Sequence, residues 1–306
     1  MVLLSLLTVI PLYADFGAYK SIPVDQTMQG EVEQIAQETL REFASSKLVD
    51  GHLSISLVDM TEPSTPRRAS YREEITYHPA SVVKAFYLVL VHEQLARGRL
   101  APSDELDRAV RDMIVDSGND ATSYVVDAIS GVGSGPELSP RAFRKFQAKR
   151  NIANRYFHAR GYDINANGKT WCENVYGREK QLLGPNREYR NRMTSAAAAS
   201  LMFGIINRKF VSPAATDRML ALMKRPLLGE TESDDGQVTE FTGAALPPGS
   251  KLWSKAGWTG EVRHDMAYTE LPNGKKYVIA ICTRGASADV KLIPAISAKI
   301  VKLMSR

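Results

Sequence analysis

The feature that most constrains this chain is a proline followed by a long apolar run, over residues 79–98. Pro79 ends any helix or strand that precedes it. The apolar run that follows is long enough for three turns of buried helix ending near Gly98. This predicts that Ser81 lies in the first helical turn, where free backbone N–H groups and the positive end of the helix dipole collect. Lys84 follows one turn later and projects from the same helix face.

A lysine in an otherwise apolar helix indicates a use for it, because burial disfavours its charge. A serine beside a desolvated lysine forms a nucleophile without histidine. The structural alternative is that Ser81 caps the helix and Lys84 extends its ammonium group to solvent. This stretch alone leaves both interpretations open, so the other motifs must decide between them.

Composition narrows the class of protein. The 306 residues, 44% of them hydrophobic, can bury a large core in one domain or two interleaved ones. The net charge of +5 is mild, and the most basic segment, residues 141–160, predicts a solvated helix face rather than a nucleic-acid-binding arm. Cys172, Cys282 and the histidines lack metal-ligand spacing, so we expect no metal and no cofactor. Whether the two cysteines pair stays open.

The chain begins with an apolar segment, residues 2–12, and Ala14 then offers a small residue for cleavage. The segment is too short to span a bilayer. It resembles a secretory signal peptide without the positively charged start. We therefore expect residues 1–14 to be a signal peptide and the protein to be periplasmic or secreted. The alternative is an uncleaved apolar start packed on the domain.

Predicted strands fall near both ends of the chain and predicted helices in the middle. This indicates an α/β (α+β) fold, in which both termini form an antiparallel five-stranded sheet flanked by helices, with an inserted all-helical subdomain. We place the sheet subdomain at residues 25–80 and 240–306, and the helical subdomain at residues 81–239. The active site is expected in the cleft between them. Residues 161–192 are predicted to form one long irregular loop, a length that is usually functional.

Two further motifs follow Ser81-x-x-Lys84 in the chain. Ser117-Gly-Asn119 lies in a predicted loop between helices, and Lys255-Ala-Gly257 ends a predicted strand. In this order and context the three motifs resemble the penicillin-recognising serine enzymes, which are the class A β-lactamases and related penicillin-binding proteins. The resemblance implies their fold from Asp25 to the C-terminus and acyl-transfer chemistry on a strained lactam or a D-amino-acid amide.

The resemblance also implies roles for residues. Ser81 would attack the substrate carbonyl while Lys84 helps to take its proton, and Ser117 would relay a proton to the leaving nitrogen. The backbone N–H groups of Ser81 and Trp258 would hold the oxyanion. Asn119 would hold the amide side chain of the substrate, and Lys255 would supply positive charge near Ser117 and the substrate carboxylate. The implied substrate-binding residues are Asn119, Lys255, Gly257, Trp258 and Arg263.

The chain departs from the family pattern at two motif positions. Gly118 stands where the β-lactamases usually have Asp, and Ala256 stands where they have Thr or Ser. The second change removes a hydroxyl donor to the substrate carboxylate, at a cost of roughly 1–3 kcal/mol. Arg263 is the stronger candidate to compensate as a carboxylate clamp, and Thr259 is the weaker one. We therefore expect a weaker or altered substrate preference.

Deacylation in class A β-lactamases uses a water activated by a loop glutamate. Glu179 begins Glu-Lys-Gln-Leu-Leu183, which resembles the family's E-x-x-L-N with Leu183 in place of Asn. We predict Glu179 as this base. Glu173 and Glu188 share the loop, and an exposed surface carboxylate is the structural alternative. Without a base in place, the acyl-enzyme would persist, as in a penicillin-binding protein.

The predicted function is that of a β-lactamase-type serine hydrolase. The alternatives are a D,D-peptidase acting on cell-wall peptides, a non-catalytic binding module that keeps the fold, and a broad esterase. We expect a small-molecule β-lactam or a cell-wall peptide as the partner, no nucleic acid and no metal, and a monomeric chain.

Overall fold

The computed structural model describes residues 15–169, 171, 175–227, 229 and 235–306. The predicted signal peptide at residues 1–14 lies outside the described residues, as do Cys172 and Glu173. Cys282 is a free, fully buried cysteine. Within the described ranges, no helix is long and apolar enough to cross a membrane.

An antiparallel sheet forms the centre of the molecule. Its strands are β1 (Leu53–Asp59), β2 (Arg67–Tyr71), β3 (Lys224–Arg225), β4 (Lys251–Trp258), β5 (Val262–Glu270) and β6 (Lys276–Arg284). Their order is β2-β1-β6-β5-β4-β3, so that strands from the two ends of the chain meet where β1 pairs with β6. The predicted antiparallel sheet built from both ends is confirmed. The predicted number of five strands is wrong, because β3 pairs with β4 at the edge and two residues are too few to show an alternating pattern.

The helices occupy both ends and the middle of the chain. They are α1 (Phe16–Lys20), α2 (Gln26–Glu42), α3 (Val83–Ala96), α4 (Asp104–Ile114), α5 (Asn119–Ser130), α6 (Pro140–Arg150), α7 (Ile152–His158), α8 (Gly177–Leu183), α9 (Ser195–Ile206), α10 (Pro213–Met223), α11 (Gly236–Thr239) and α12 (Leu292–Met304).

Side-chain caps explain where several helices begin. Asp25 accepts hydrogen bonds from two free N–H groups at the start of α2, and Ser103 accepts one at the start of α4. Thr194 caps α9 through the N–H of Ala197. Each cap satisfies a backbone donor that has no partner inside its helix. Helix formation therefore follows local sequence at these positions.

Two hydrophobic cores lie on opposite faces of the sheet. On one face, α2 and α12 cover the side chains of Leu53, Ile55 and Leu57 from β1. On the other, the alanine-rich α9 packs against β1, β5 and β6, and α3 lies within the same core. The side chains of α3 are buried from Val83 through Gln94, as expected for a helix that is apolar all round. Burial of α3 carries Lys84 into the interior.

The segment at residues 161–192 is more ordered than predicted. It contains the short helix α8, and an isolated bridge between Asn165 and Arg192 closes its base. A second bridge joins Met193, just beyond the segment, to Tyr77, four residues before Ser81. The loop is therefore tied to the chain that leads into α3.

Candidate active site

Ser81 lies in a 3₁₀ turn, Ala80–Val82, that runs directly into α3. The preceding Ala80 has a φ of 46°, in the left-handed region that non-glycine residues rarely adopt. The backbone of β4 packs on this turn. A Cβ added to Gly257 would lie 2.5 Å from the nitrogen of Ser81 and 2.8 Å from that of Val82. Glycine is thus required for the third motif to contact the first.

Lys84 is fully buried, and its amine contacts the second motif. The Nζ atom lies 2.6 Å from the carbonyl oxygen of Ser117, 3.2 Å from the hydroxyl of Ser117 and 2.9 Å from Oδ1 of Asn119. Burial lowers the pKa of Lys84 to about 8. A sizeable fraction of the amine is therefore neutral near physiological pH, when it can accept a proton.

Ser117 lies between two lysines. Its hydroxyl is 3.2 Å from Nζ of Lys84 and 3.0 Å from Nζ of Lys255. The residue has a φ of 57°, again in the left-handed region. Asn119 begins α5 and is exposed, and its side-chain N–H₂ has no partner in the described parts of the chain. The hydroxyl of Ser117 can therefore relay a proton, and the amide of Asn119 is available to a ligand.

Lys255, on β4, is fully buried and uses all three of its N–H donors. It donates to the hydroxyl of Ser117, to the carbonyl oxygen of Ala256 at 2.8 Å, and to Oε1 of Gln237 at 2.6 Å. Burial holds the pKa of Lys255 well below its ordinary value, and the charges of Arg225 and Lys84 add to this.

Gln237 was not predicted from the sequence. It is buried on the short helix α11, accepts from Lys255, and donates to the carbonyl oxygen of Val115 at 2.8 Å. Arg225 on β3 supports it, donating to Gln237 at 3.2 Å and to the carbonyl oxygen of Ile114 at 2.7 Å. These bonds fix the end of α4 and the loop that carries Ser117. The segment that carries Gln237 is polar and has no periodicity, so the sequence did not indicate this long-range contact.

Trp258 and Arg263 pair across β4 and β5. Trp258 is 46% exposed, with its ring 5.5 Å from that of Phe241. The guanidinium of Arg263 is buried, donates to the carbonyl oxygen of Ser287 at 2.9 Å and forms an ion pair with Glu240 at 3.2 Å. A substrate carboxylate would have to compete with Glu240 for Arg263. The role of Arg263 as a clamp therefore stays a prediction.

Thr259 and Ala256 also have defined surroundings. The hydroxyl of Thr259 accepts from the N–H groups of Glu261 and Val262, so it is used within the turn between β4 and β5. The methyl group of Ala256 is buried in the core covered by α2 and α12.

Glu179, the predicted deacylation base, is buried on α8 with an arginine as its partner. Its Oε1 accepts from Arg150 at 2.8 Å and from the hydroxyl of Ser134 at 3.0 Å. Its Oε2 is buried and has no partner in the described part of the molecule. None of the contacts described for Glu179 joins it to Ser81 or Lys84. Of the two alternatives, Glu173 lies outside the described residues, and Glu188 accepts from the backbone N–H of Asn186.

The three motifs therefore meet at one place: Lys84 and Lys255 both contact Ser117, and Gly257 packs on Ser81. Comparison of the sequence with family models gives a match to the β-lactamase enzyme family over residues 105–304. The chain belongs to the β-lactamase enzyme family. The penicillin-recognising serine enzymes inferred from the motifs are thus the correct group. No curated protein sequence matches the chain.

Solved structures of this family share the fold. The protein PBP-A aligns with a TM-score of 0.64 and 19% identity, over 93% of this chain and 99% of PBP-A. A β-lactamase from Chitinophaga pinensis aligns with a TM-score of 0.63 and 15% identity, over 88% of this chain and 99% of that one. A mutant of PBP-A, solved as an acyl-enzyme complex with penicillin G, aligns with a TM-score of 0.62 and 18% identity, over 90% of this chain and 97% of the mutant. At these identities the likeness establishes the fold alone.

Among the described residues, no group of three or more His, Cys, Asp or Glu side chains is arranged to hold a metal ion. The polar groups that the three motifs bring together are two lysines, a serine and an asparagine.

Proposed function

We propose that this chain is a β-lactamase-type serine hydrolase that opens β-lactam amides through an acyl-enzyme on Ser81. The observation that supports this most strongly is the pair of buried lysines on the hydroxyl of Ser117, next to the turn that carries Ser81. A buried lysine pair with no carboxylate partner among the described residues costs stability, so its presence favours a chemical use.

In the proposed acylation, the neutral amine of Lys84 takes the proton of the Ser81 hydroxyl as its oxygen attacks the lactam carbonyl carbon. The backbone N–H groups of Ser81 and Trp258 hold the resulting oxyanion. When the tetrahedral intermediate collapses, the C–N bond breaks. The hydroxyl of Ser117 donates its proton to the leaving nitrogen and regains one from the protonated Lys84. Lys255 donates to Ser117 throughout, which directs the Ser117 proton away from Lys255 and toward the substrate.

In the proposed deacylation, a water molecule attacks the ester carbonyl and releases Ser81. We retain Glu179 as the proposed base. Replacement by glutamine should then lower turnover roughly 10²–10⁴-fold and leave the acylation rate unchanged.

A second candidate function is a D,D-peptidase that acts on cell-wall peptides and deacylates slowly after reaction with penicillin. The contacts of Glu179 favour this candidate, because they run to Arg150 and Ser134 and none of those described joins Glu179 to Ser81 or Lys84. Either function requires export to reach its substrate, and we propose that residues 1–14 provide it.

Intact-protein mass spectrometry with penicillin G, together with hydrolysis of a chromogenic cephalosporin, tests the proposal. We expect one covalent adduct per chain on the peptide that contains Ser81, followed by its release and by cephalosporin turnover. Ser81→Ala should abolish both, whereas Ser45→Ala, at an exposed serine, should change neither. A stable adduct without turnover would support the D,D-peptidase. Absence of any adduct would reject both functions and favour a non-catalytic module.

A further inference from the structure

A large cavity lies away from Ser81, between α6, α7 and the two arms of the loop at residues 161–192. It has a volume of about 560 Å³. Its lining includes Glu188, one of the two alternative loop glutamates, but not Ser81, Lys84, Ser117 or Lys255. The walls are mainly polar, with side chains from Arg144, Gln147, Asn151, Asn167 and Tyr189 among them. A pocket of this size with polar side chains in its walls is suited to a small polar ligand.

One wall carries a polar group without a partner. The side chain of Asn167 is 8% exposed, and its Oδ1 has no hydrogen-bond partner within the described ranges. Its N–H₂ group is 3.4 Å from Oδ1 of Asn151, at the long limit of a hydrogen bond. Buried polar atoms are normally paired, so an unpaired amide in the wall of a polar cavity indicates a ligand that completes it.

The cavity lining carries two arginines, Arg144 and Arg192, and one carboxylate, Glu188, which accepts from the backbone N–H of Asn186. Arg144 makes no ion pair or side-chain hydrogen bond with any described residue, although it lines the space. Residues 140–158, which form α6 and α7, contain six Lys or Arg and no Asp or Glu. Across the cavity, Arg192 is fixed by a two-pronged contact to Asp163, at 3.0 and 2.6 Å. A free guanidinium over a cavity favours a ligand with a carboxylate or another planar anion.

We propose that this cavity binds an acidic sugar unit, a polyhydroxylated ring with a carboxylate. Arg144 would pair with the carboxylate, and the amides of Gln147, Asn151 and Asn167 would exchange hydrogen bonds with hydroxyl groups, because amides both donate and accept. Tyr189 is 54% exposed and supplies an aromatic face for the apolar side of the ring. A nucleic acid is a poorer fit, because strand binding needs an open groove with successive stacking platforms.

Isothermal titration calorimetry tests this with the full chain and a tetrasaccharide of alternating glucuronate and N-acetylglucosamine. The neutral chitin tetrasaccharide and a short oligothymidylate serve as comparison ligands. We expect saturable binding of the acidic sugar, and binding at least roughly tenfold weaker for each comparison ligand. Arg144→Gln should weaken the binding of the acidic sugar at least roughly tenfold. Arg141→Gln is the matched control, an exposed arginine on α6 that does not line the cavity, and it should change binding less than about twofold.

Several outcomes would overturn the proposal. These are no binding of the acidic sugar, equal binding of the neutral sugar, or equal losses in the two arginine variants. Tighter binding of oligothymidylate would instead indicate a general polyanion surface on α6. Circular dichroism of both variants checks that they fold, so that a loss caused by unfolding is recognised. Because Arg144 lies outside the candidate active site, failure here would leave the proposed acylation of Ser81 intact.

Discussion

The chain buries two clusters of cationic side chains, and they differ in their partners. Next to Ser81, Lys84 and Lys255 contact only neutral oxygens, from a serine, two amides and backbone carbonyls. Under the loop at residues 161–192, Arg150 and Lys169 contact carboxylates. Arg150 lies 2.8 Å from Glu179 and 3.1 Å from Asp127, and Lys169 lies 2.7 Å from Asp127.

The kind of partner, neutral oxygen or carboxylate, distinguishes the lysines proposed to take part in acylation from the cations that hold the loop in place. Where carboxylates compensate the cations, the contacts hold the loop to α5 and α6. Where only neutral oxygens surround them, burial lowers the pKa, to about 8 for Lys84. The lysines without carboxylate partners therefore supply a proton acceptor near neutral pH.

The largest expected effect comes from removing the amine of Lys84. Lys84→Met keeps much of the side-chain volume and removes the proton acceptor, so acylation by penicillin G should slow roughly 10²–10⁴-fold. Stopped-flow or quenched mass spectrometry gives the rate constant. Lys145→Met, at an exposed lysine of α6, is the control and should be neutral. An unchanged rate in Lys84→Met would assign the role of base to another group.

Changes at Arg150 and Lys169, whose partners are carboxylates, should alter the stability of the protein rather than its acylation rate. Arg150→Met leaves Glu179 without its buried cationic partner and leaves Asp127 with Lys169 alone, and should lower the free energy of unfolding by about 3–5 kcal/mol. Urea denaturation measures this. Arg155→Met, on exposed α7 surface, should cost about 0.5 kcal/mol or less. An Arg150→Met protein as stable as the wild type would show that the contacts of Arg150 do not stabilise the fold. The acylation rate of folded Arg150→Met should match that of the wild type.

A smaller effect should follow from giving Lys255 a carboxylate. Gln237→Glu is nearly isosteric and places a negative charge where Oε1 now lies, 2.6 Å from the amine. The ion pair should raise the pKa of Lys255 and draw its proton away from Ser117, slowing acylation roughly tenfold. Gln181→Glu on α8, away from both lysines, is the matched control. A faster reaction would contradict the role of Lys255 as a donor to Ser117.

Local sequence was sufficient for the elements that position Ser81. Pro79 and the apolar run after it predict a buried helix beginning at this point, and the structure has α3 at Val83–Ala96. The pattern placed Ser81 inside the helix, whereas it lies in the 3₁₀ turn just before it. This is a difference of about one turn, and Gly257 packs on that turn from a distant part of the sequence. The basic segment at residues 141–160, predicted to present a solvated helix face, contains two helices, α6 and α7, that meet at Asn151.

Long-range pairing could not be predicted in the same way. Gln237 reaches Lys255 from a helix of four residues, too short to show periodicity. The sequence identified Glu179 as a candidate carboxylate but could not show that Arg150, 29 residues earlier, would be its partner. The pairing of charged side chains depends on the tertiary packing of the loop, and residue types alone do not specify it.

The pH dependence of acylation tests the central claim most directly, because it reports the protonation of Lys84 itself. The neutral amine is the active form, so the acylation rate constant for penicillin G should rise about tenfold per pH unit below about 8 and level off above it. The measurement runs from about pH 6 to about pH 9.5 on wild-type protein. A flat profile, or a rate constant that still rises at about pH 9.5 as expected for the ordinary pKa of an exposed lysine, would contradict the claim that burial makes Lys84 the base.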